Sequence, residues 1–79
     1  MTNLEKINSI FCEVFSVEVS VLNNEFNKEM VERWDSIHQL SLISSIEDKF
    51  DIILDAEDIL DFTSYCNAKS ILLKCGIEL

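Results

Sequence analysis

Glycine and proline are almost absent from this sequence, which has one glycine and no proline. Barrels, sandwiches and hairpin-rich folds need such residues at their turns, so these fold classes are not expected. Basic residues are also scarce, with 6 Lys and Arg against 15 Asp and Glu and a formal net charge of −9. That charge repels phosphates, so we expect no nucleic-acid partner, whereas a basic protein surface would be attracted.

Long apolar runs are missing as well, since no segment approaches the roughly 20 apolar residues of a membrane span. Glu5 and Asn8 interrupt the apolar residues at the N-terminus, so we expect no secretory signal and no membrane span. Cys12, Cys66 and Cys75 form an odd set without a C-x-x-C pair. This favours ordinary thiols in the cytoplasm over a disulfide framework.

Apolar residues make up 48% of the 79-residue chain, which is enough for one core and too little for two ordinary domains. We therefore predict a single domain over residues 1–79. A disordered acidic tail would contain far fewer aliphatic and aromatic residues.

Three segments with apolar residues at three- and four-residue spacing predict three main helices. The first segment has Leu4, Ile7, Ile10, Phe11, Val14 and Phe15, the second Ile37, Leu40, Ile43, Ile46 and Phe50, and the third Tyr65, Ala68, Ile71, Leu72 and Cys75. Each of these helices has a suitable N-cap. Thr2 forms a capping box with Glu5 at the first helix, Asp35 caps the second, and Thr63 or Ser64 caps the third.

A shorter helix is expected near 56–61, and Gly76 stands where the left-handed residue after the last helix belongs. Residues 16–35 break the periodicity and form a connection that is long for a compact domain. The apolar anchors of this connection are Met30, Val31 and Trp34. We therefore predict an all-α fold, a small four-helix bundle of three main helices plus a short third helix, with a long loop between helices 1 and 2.

The sequence shows no catalytic or metal-binding constellation. Ser36 and His38 are two residues apart on a helix, so they cannot form a nucleophile–base pair. The Cys and His spacings do not suit zinc, and counting from Asp55 puts Leu60 where a calcium-binding EF-hand loop needs glycine. We predict no enzyme activity and no metal site, with a small hydrolase as a distant third interpretation.

The beginning of the second helix is the strongest candidate site. A serine at the first helical position lies beside unpaired amides and the positive end of the helix dipole, where a phosphate would be favourably placed. Physical reasoning alone leaves two interpretations open. Ser36 is either a phosphate attachment point or simply the residue that starts a helix.

Several motifs resemble one known family along nearly the whole chain. They are Glu-Arg-Trp-Asp-Ser-Ile at 32–37, Glu-Asp-Lys-Phe-Asp-Ile at 47–52, Asp-Ile-Leu-Asp-Phe-Thr-Ser at 58–64 and the helical pattern over 4–15. The sequence is similar in these segments to the acyl carrier and peptidyl carrier proteins of fatty-acid, polyketide and nonribosomal peptide synthesis, whose attachment motif has the core D-S-L or D-S-I.

The resemblance implies that Ser36 is esterified with 4′-phosphopantetheine taken from coenzyme A by a phosphopantetheinyl transferase. The thiol of that arm carries an acyl or aminoacyl group as a thioester. Asp35 would cap the helix and lie beside the phosphodiester. The implied partners are the transferase, a loading enzyme, and acyl-transferring or condensing enzymes.

Seven acidic residues lie between Glu47 and Asp61, against Lys49 alone. They form either a solvated face or a docking surface for basic patches on partner enzymes. The residues that we predict for docking are Ile37, Glu47, Asp48, Asp51, Glu57, Asp58 and Ile59.

The sequence departs from the commonest family pattern at three places. Arg33 and Trp34 stand where many members have glycine, Ile37 replaces leucine, and Ser41 replaces an acidic residue. These differences favour a stand-alone carrier of a specialised biosynthetic pathway, which we expect to be monomeric. The alternative is a small acidic interaction or inhibitor protein without a prosthetic group.

Several aliphatic residues are predicted to line the interior: Leu40, Ile43, Ile46, Ile59, Leu60 and Ile71. This lining is compatible with an acyl chain tucked among the helices. A core that serves only to stabilise the fold would have the same composition.

Overall fold

Side-chain caps begin all four α-helices in this computed structural model, which describes residues 2–79. The helices are α1 (Asn3–Phe15), α2 (Ser36–Phe50), α3 (Ala56–Asp61) and α4 (Tyr65–Lys74), with a short 3-10 helix at Val19–Val21. Thr2, Asp35, Asp55 and Ser64 each accept a hydrogen bond from the backbone N–H three residues further on. The predicted caps of α1, α2 and α4 are thereby confirmed, since each pairs an amide that the helix itself leaves free.

Left-handed residues follow three of the helices. Ser16 and Asp51 have φ values of 56° and 53°, and Gly76 has a φ of 88°. The N–H groups of Gly76 and Ile77 donate to carbonyl oxygens in the last turn of α4, at 3.0 and 2.9 Å. This double hydrogen bond is the Schellman ending, which confirms the predicted role of the glycine.

The all-α prediction is confirmed, because residues 2–79 form a small helical bundle with no strand. None of the helices in this part of the chain has the length and apolarity to cross a membrane. The bundle measures 29 × 27 × 19 Å along its principal axes. Its core combines aliphatic residues of α1, α2 and α4 with aromatic residues of α1, α4 and the connections between helices. From α3, the partly buried Ile59 packs against this core. The buried apolar residues are Ile7, Ile10, Phe11, Phe15, Phe26, Trp34, Leu42, Ile43, Ile46, Leu54, Phe62, Tyr65, Ala68, Ile71 and Leu72.

The long connection between α1 and α2 is held to the bundle at two points. Phe26 and Trp34 are buried in the core, at 6% and 3% exposure. Beside Phe26, the backbone pairs with the start of α4, since Tyr65 N–H donates to the carbonyl of Phe26 at 2.9 Å. The prediction that Met30 anchors this segment is wrong, because its side chain is 70% exposed. Phe26 provides the central anchor of this segment instead.

Several residues that the sequence placed on apolar helix faces or in the interior lie on the surface, including Leu4 and Ile37, which are 38% and 73% exposed. Leu40 and Leu60 are 70% and 77% exposed, and Cys75 is also exposed. In α2 the buried stripe is carried by Leu42, Ile43 and Ile46, which leaves Leu40 outside the core. The predicted interior lining is therefore wrong at Leu40 and Leu60.

Candidate functional site

Ser36 is the first residue of α2, and it is exposed. Asp35 fixes this helix start, because its Oδ1 accepts from the backbone N–H of His38 at 2.9 Å and lies 2.8 Å from His38 Nδ1. An ionised carboxylate only accepts, so Nδ1 carries the proton in this contact. The backbone N–H of His38, followed by its ring, holds the pKa of Asp35 below its ordinary value. The candidate serine therefore follows an ionised, well-anchored cap.

An aromatic cluster lies beneath the helix start. The ring of Trp34 packs 4.9 Å from that of Phe15 and 5.8 Å from that of Phe11, measured between centroids. The imidazole of His38 stacks on Phe15 at 5.9 Å and 15°. These contacts fix the segment around Ser36 from below, because two of its close neighbours, Trp34 and His38, are packed against the end of α1.

Gln39 joins the start of α2 to α3. Its Oε1 accepts a hydrogen bond from the indole N–H of buried Trp34. Its Nε2 donates to the carbonyl of Ile59 in α3 at 3.2 Å. One side chain therefore satisfies the indole and spans the gap between the two helices.

Exposed apolar residues border the serine. Ile37 and Leu40 are 73% and 70% exposed. Leu40 lies one turn after Ser36, so the two side chains occupy the same strip of the helix surface. Leu60 is also exposed, and it follows the carbonyl that Gln39 contacts. We call Ile37, Leu40 and Leu60 the apolar rim.

The predicted acidic docking residues are in different environments. Asp48, Asp51 and Glu57 are exposed. Glu47 is half-buried, because its Oε2 accepts from the backbone N–H of Leu54 at 2.8 Å. It holds the α2–α3 connection in place.

Two other predicted docking residues are turned towards the core. Asp58 is only 6% exposed, and its Oδ1 lies 2.9 Å from Lys74 Nζ. This corrects its expected surface position, since the carboxylate is engaged inside the chain. Ile59 is half-buried and packs against the core. The accessible part of the predicted surface is therefore Ile37, Asp48, Asp51 and Glu57.

Sequence reasoning missed the role of Gln39. No periodicity or motif connects a polar residue in α2 with a backbone carbonyl 20 positions later, and the contact depends on how α3 packs. Sequence reasoning also missed Phe26, which contributes to the aromatic cluster a ring 6.0 Å from that of Trp34. Its neighbours in the sequence are polar, so no repeating apolar pattern pointed to it.

The site offers an exposed hydroxyl on a firmly held helix start. Within the described part of the chain, no group of three or more His, Cys, Asp or Glu side chains is arranged to hold a metal ion. No protein-family model matches the chain, and no curated protein matches its sequence. The functional interpretation therefore depends on the residues and their geometry.

Proposed function

We propose that this protein is a carrier that holds acyl or aminoacyl groups as thioesters on a 4′-phosphopantetheine arm and delivers them to partner enzymes of a specialised biosynthetic pathway. The arm would be esterified to Ser36. The observation that carries the proposal is the exposure of Ser36 at the first position of a 15-residue helix whose start is fixed by Asp35. This geometry supports an attachment point that is accessible yet held in place.

The local electrostatics suit a phosphodiester. The start of a long helix carries partial positive charge and stabilises an adjacent anion. Asp35 is itself an anion, but its Oδ1 is engaged by two N–H groups of His38. That engagement reduces the repulsion that an attached phosphate would experience.

The attachment step is a phosphoryl transfer. The oxygen of Ser36 attacks the phosphorus that bears the pantetheine arm of coenzyme A, and adenosine 3′,5′-bisphosphate leaves. The serine proton passes to a base of the transferase. The terminal thiol of the arm then accepts the acyl group, so the chemistry belongs to the partners and the chain acts as their carrier.

The exposed carboxylates of α2, its C-terminal cap and α3 support docking by basic enzymes. Asp48, Asp51 and Glu57 are exposed in a chain whose formal net charge is −9. Opposite charges accelerate association, and apolar contacts such as those offered by the apolar rim add affinity. The proposed partners are a phosphopantetheinyl transferase, a loading enzyme and acyl-transferring or condensing enzymes.

Intact-mass measurement tests the proposal. The purified protein is incubated with coenzyme A and a broad-specificity phosphopantetheinyl transferase, beside Ser36→Ala and Ser41→Ala. Both serines are exposed and lie on α2, so Ser41→Ala is the matched control. We expect the wild type and Ser41→Ala to gain one phosphopantetheine and Ser36→Ala to gain none.

The opposite result is equally clear. A wild-type chain that stays unmodified, while a known carrier in the same tube is modified, contradicts the proposal. The second candidate function is a small acidic interaction or inhibitor protein, which the exposed carboxylates of Asp48, Asp51 and Glu57 favour. Such a protein would keep its partner binding in Ser36→Ala.

A further inference from the structure

The interior behind Ser36 is occupied by aromatic rings. Trp34, Phe15 and Phe11 are 3%, 1% and 0% exposed, and their ring centroids lie 4.9 to 5.9 Å apart. Phe26 closes the cluster with a ring 5.6 Å from that of Phe15. Extra methylene groups in such a core force side chains off their rotamers and shift the backbone.

The gap between α2 and α3 is bridged at the same level. Gln39 accepts from the indole N–H of Trp34 and donates to the carbonyl of Ile59. A chain that passed between the two helices from Ser36 would have to displace this side chain. The buried indole N–H and the carbonyl would then lose their partners, which is costly in a desolvated place.

The outer surface offers a different environment. Leu40 lies one turn from Ser36 and is 70% exposed, and Ile37 is 73% exposed. An arm that extends from Ser36 meets these side chains on the surface. A long hydrocarbon chain left there would remain largely in water, which is unfavourable in proportion to its apolar area. A small or polar group carries little of that penalty.

We infer that the cargo is a short or polar acyl group that stays outside the helices, because the aromatic cluster and the Gln39 bridge close the interior to a long chain. This inference rests on the proposed carrier function and specifies its substrate class. Of the two interpretations of the aliphatic lining, it favours a core that serves only to stabilise the fold, since two of the expected lining residues, Leu40 and Leu60, are on the surface.

The test compares a short and a long thioester on the same protein. The transferase loads the chain from acetyl-coenzyme A or octanoyl-coenzyme A, and hydroxylamine cleaves the thioesters while intact mass follows the reaction. Each rate is divided by that of the corresponding free acyl-coenzyme A, which removes the intrinsic difference between the two esters. We expect the same ratio for acetyl and octanoyl.

Tryptophan fluorescence gives a second readout. Trp34 is the single tryptophan of the chain, and it is buried in the core two residues before the attachment serine. A chain inserted into the interior would contact or displace its ring. We expect the protein that carries octanoyl to have the same emission spectrum and the same melting temperature as the protein with the unacylated arm.

The possible outcomes separate the two proposals. A sequestered thioester reacts only from a minor open state, populated at about 10% or less, so octanoyl cleavage slowed by about tenfold or more overturns the inference. A shifted Trp34 emission together with a raised melting temperature overturns it too. In either case the arm has been attached to the protein, so the proposed carrier function is still supported. A chain that takes up no arm at all overturns the carrier function, and the inference with it.

Discussion

Lys74 Nζ lies 2.9 Å from Oδ1 of Asp58 and joins α3 to the end of α4. The Asp58 side chain is 9% exposed, whereas that of Lys74 is 67% exposed. The hydrogen bond and the charge of Asp58 raise the pKa of Lys74. The six-residue helix α3 is too short to be stable alone, so this contact and the core hold it in place.

The first prediction concerns this pair. Asp58→Asn keeps the shape of the side chain and removes its charge, so the contact with Lys74 weakens and the melting temperature should fall. Asp48→Asn makes the same change in net charge at an exposed position of α2. We expect it to leave the melting temperature unchanged or to raise it slightly, because the chain is strongly acidic. Equal effects of the two variants would argue against a structural role for Asp58.

The second prediction concerns the Gln39 bridge. Gln39→Met preserves the volume of the side chain but leaves the buried indole N–H of Trp34 without its acceptor. We expect a loss of about 1–3 kcal/mol in the free energy of unfolding, the usual cost of an unsatisfied buried donor. Urea denaturation followed by Trp34 fluorescence measures it, with Ser41→Ala as the control. A loss below a few tenths of a kcal/mol would show that the bridge contributes little.

The beginnings of the helices could be predicted from sequence. Asp35 and Ser64 act as caps, as the short polar residues before the apolar patterns predicted. Thr2 and Glu5 form the reciprocal pair of a capping box. These features are local, since each links groups only three residues apart, and tertiary contacts were not needed to recognise them.

The orientation of α3 could not be predicted in the same way. A six-residue helix has fewer than two turns, so its sequence contains no repeated apolar stripe. Asp58 was therefore assigned to the surface and Leu60 to the interior. In the structure Asp58 is buried and Leu60 is exposed. The partner of Asp58, Lys74, is 16 residues away, and their contact depends on how α4 returns across the bundle.

The candidate site shows the same division. The D-S-I motif and the helix pattern placed Ser36 at the first position of α2, where it lies. The contacts that hold it there come from distant segments, namely Phe15 against His38 and the carbonyl of Ile59 against Gln39. Such contacts arise from packing between elements, which a single sequence does not encode in any short pattern.

The third prediction is a dependence of stability on acid. The pKa of Asp35 is lower in the folded protein than in the unfolded chain, where it is about 3.9. The unfolded state therefore binds more protons as the pH falls, and the stabilisation by this carboxylate is present above about pH 4 and lost below it. Asp35→Asn keeps a good N-cap that does not titrate.

Melting temperatures between pH 5 and about pH 2.5 test this dependence in the acid range where carboxylates titrate. We expect the wild type to lose more stability over this range than Asp35→Asn. Glu13→Gln on the exposed side of α1 is the control and should follow the wild type. The pKa of Glu5 is also lowered, by the N–H and hydroxyl of Thr2, so some acid loss remains in every variant. Parallel curves for the wild type and Asp35→Asn would contradict the prediction.

The fourth prediction concerns the end of α4. Gly76 has a φ of 88°, and a Cβ built on it would meet no atom within 4 Å. The cost of Gly76→Ala is therefore conformational and should be about 1–2 kcal/mol, the usual penalty of a left-handed backbone for an L-residue. Gly76→Asn should cost less, because asparagine tolerates this region better. If both variants were as stable as the wild type, the Schellman ending would not be needed for stability.

The last prediction concerns docking of the transferase to the exposed carboxylates. Asp48→Lys combined with Glu57→Lys reverses two exposed charges on α2 and α3 and raises the net charge by four units. If partners approach this face through a basic patch, kcat/KM for phosphopantetheine transfer should fall by about tenfold, mainly through slower association. The same change in net charge at Glu13 and Glu18, both exposed and outside α2 and α3, should have a much smaller effect.

The salt dependence of kcat/KM distinguishes electrostatic steering of the transferase from damage to the fold. Surface charges are screened over about 8–10 Å at physiological ionic strength, so the difference between the two double variants should shrink as salt is added. A deficit that persists at high salt would instead point to a lost direct contact or an altered fold. If both double variants lowered kcat/KM equally relative to the wild type, overall charge would account for the effect. The positions of Asp48 and Glu57 would then have no special role. The acidic residues would then form a solvated surface, and Ile37 and Leu40 beside Ser36 would be the remaining candidates for specific contact.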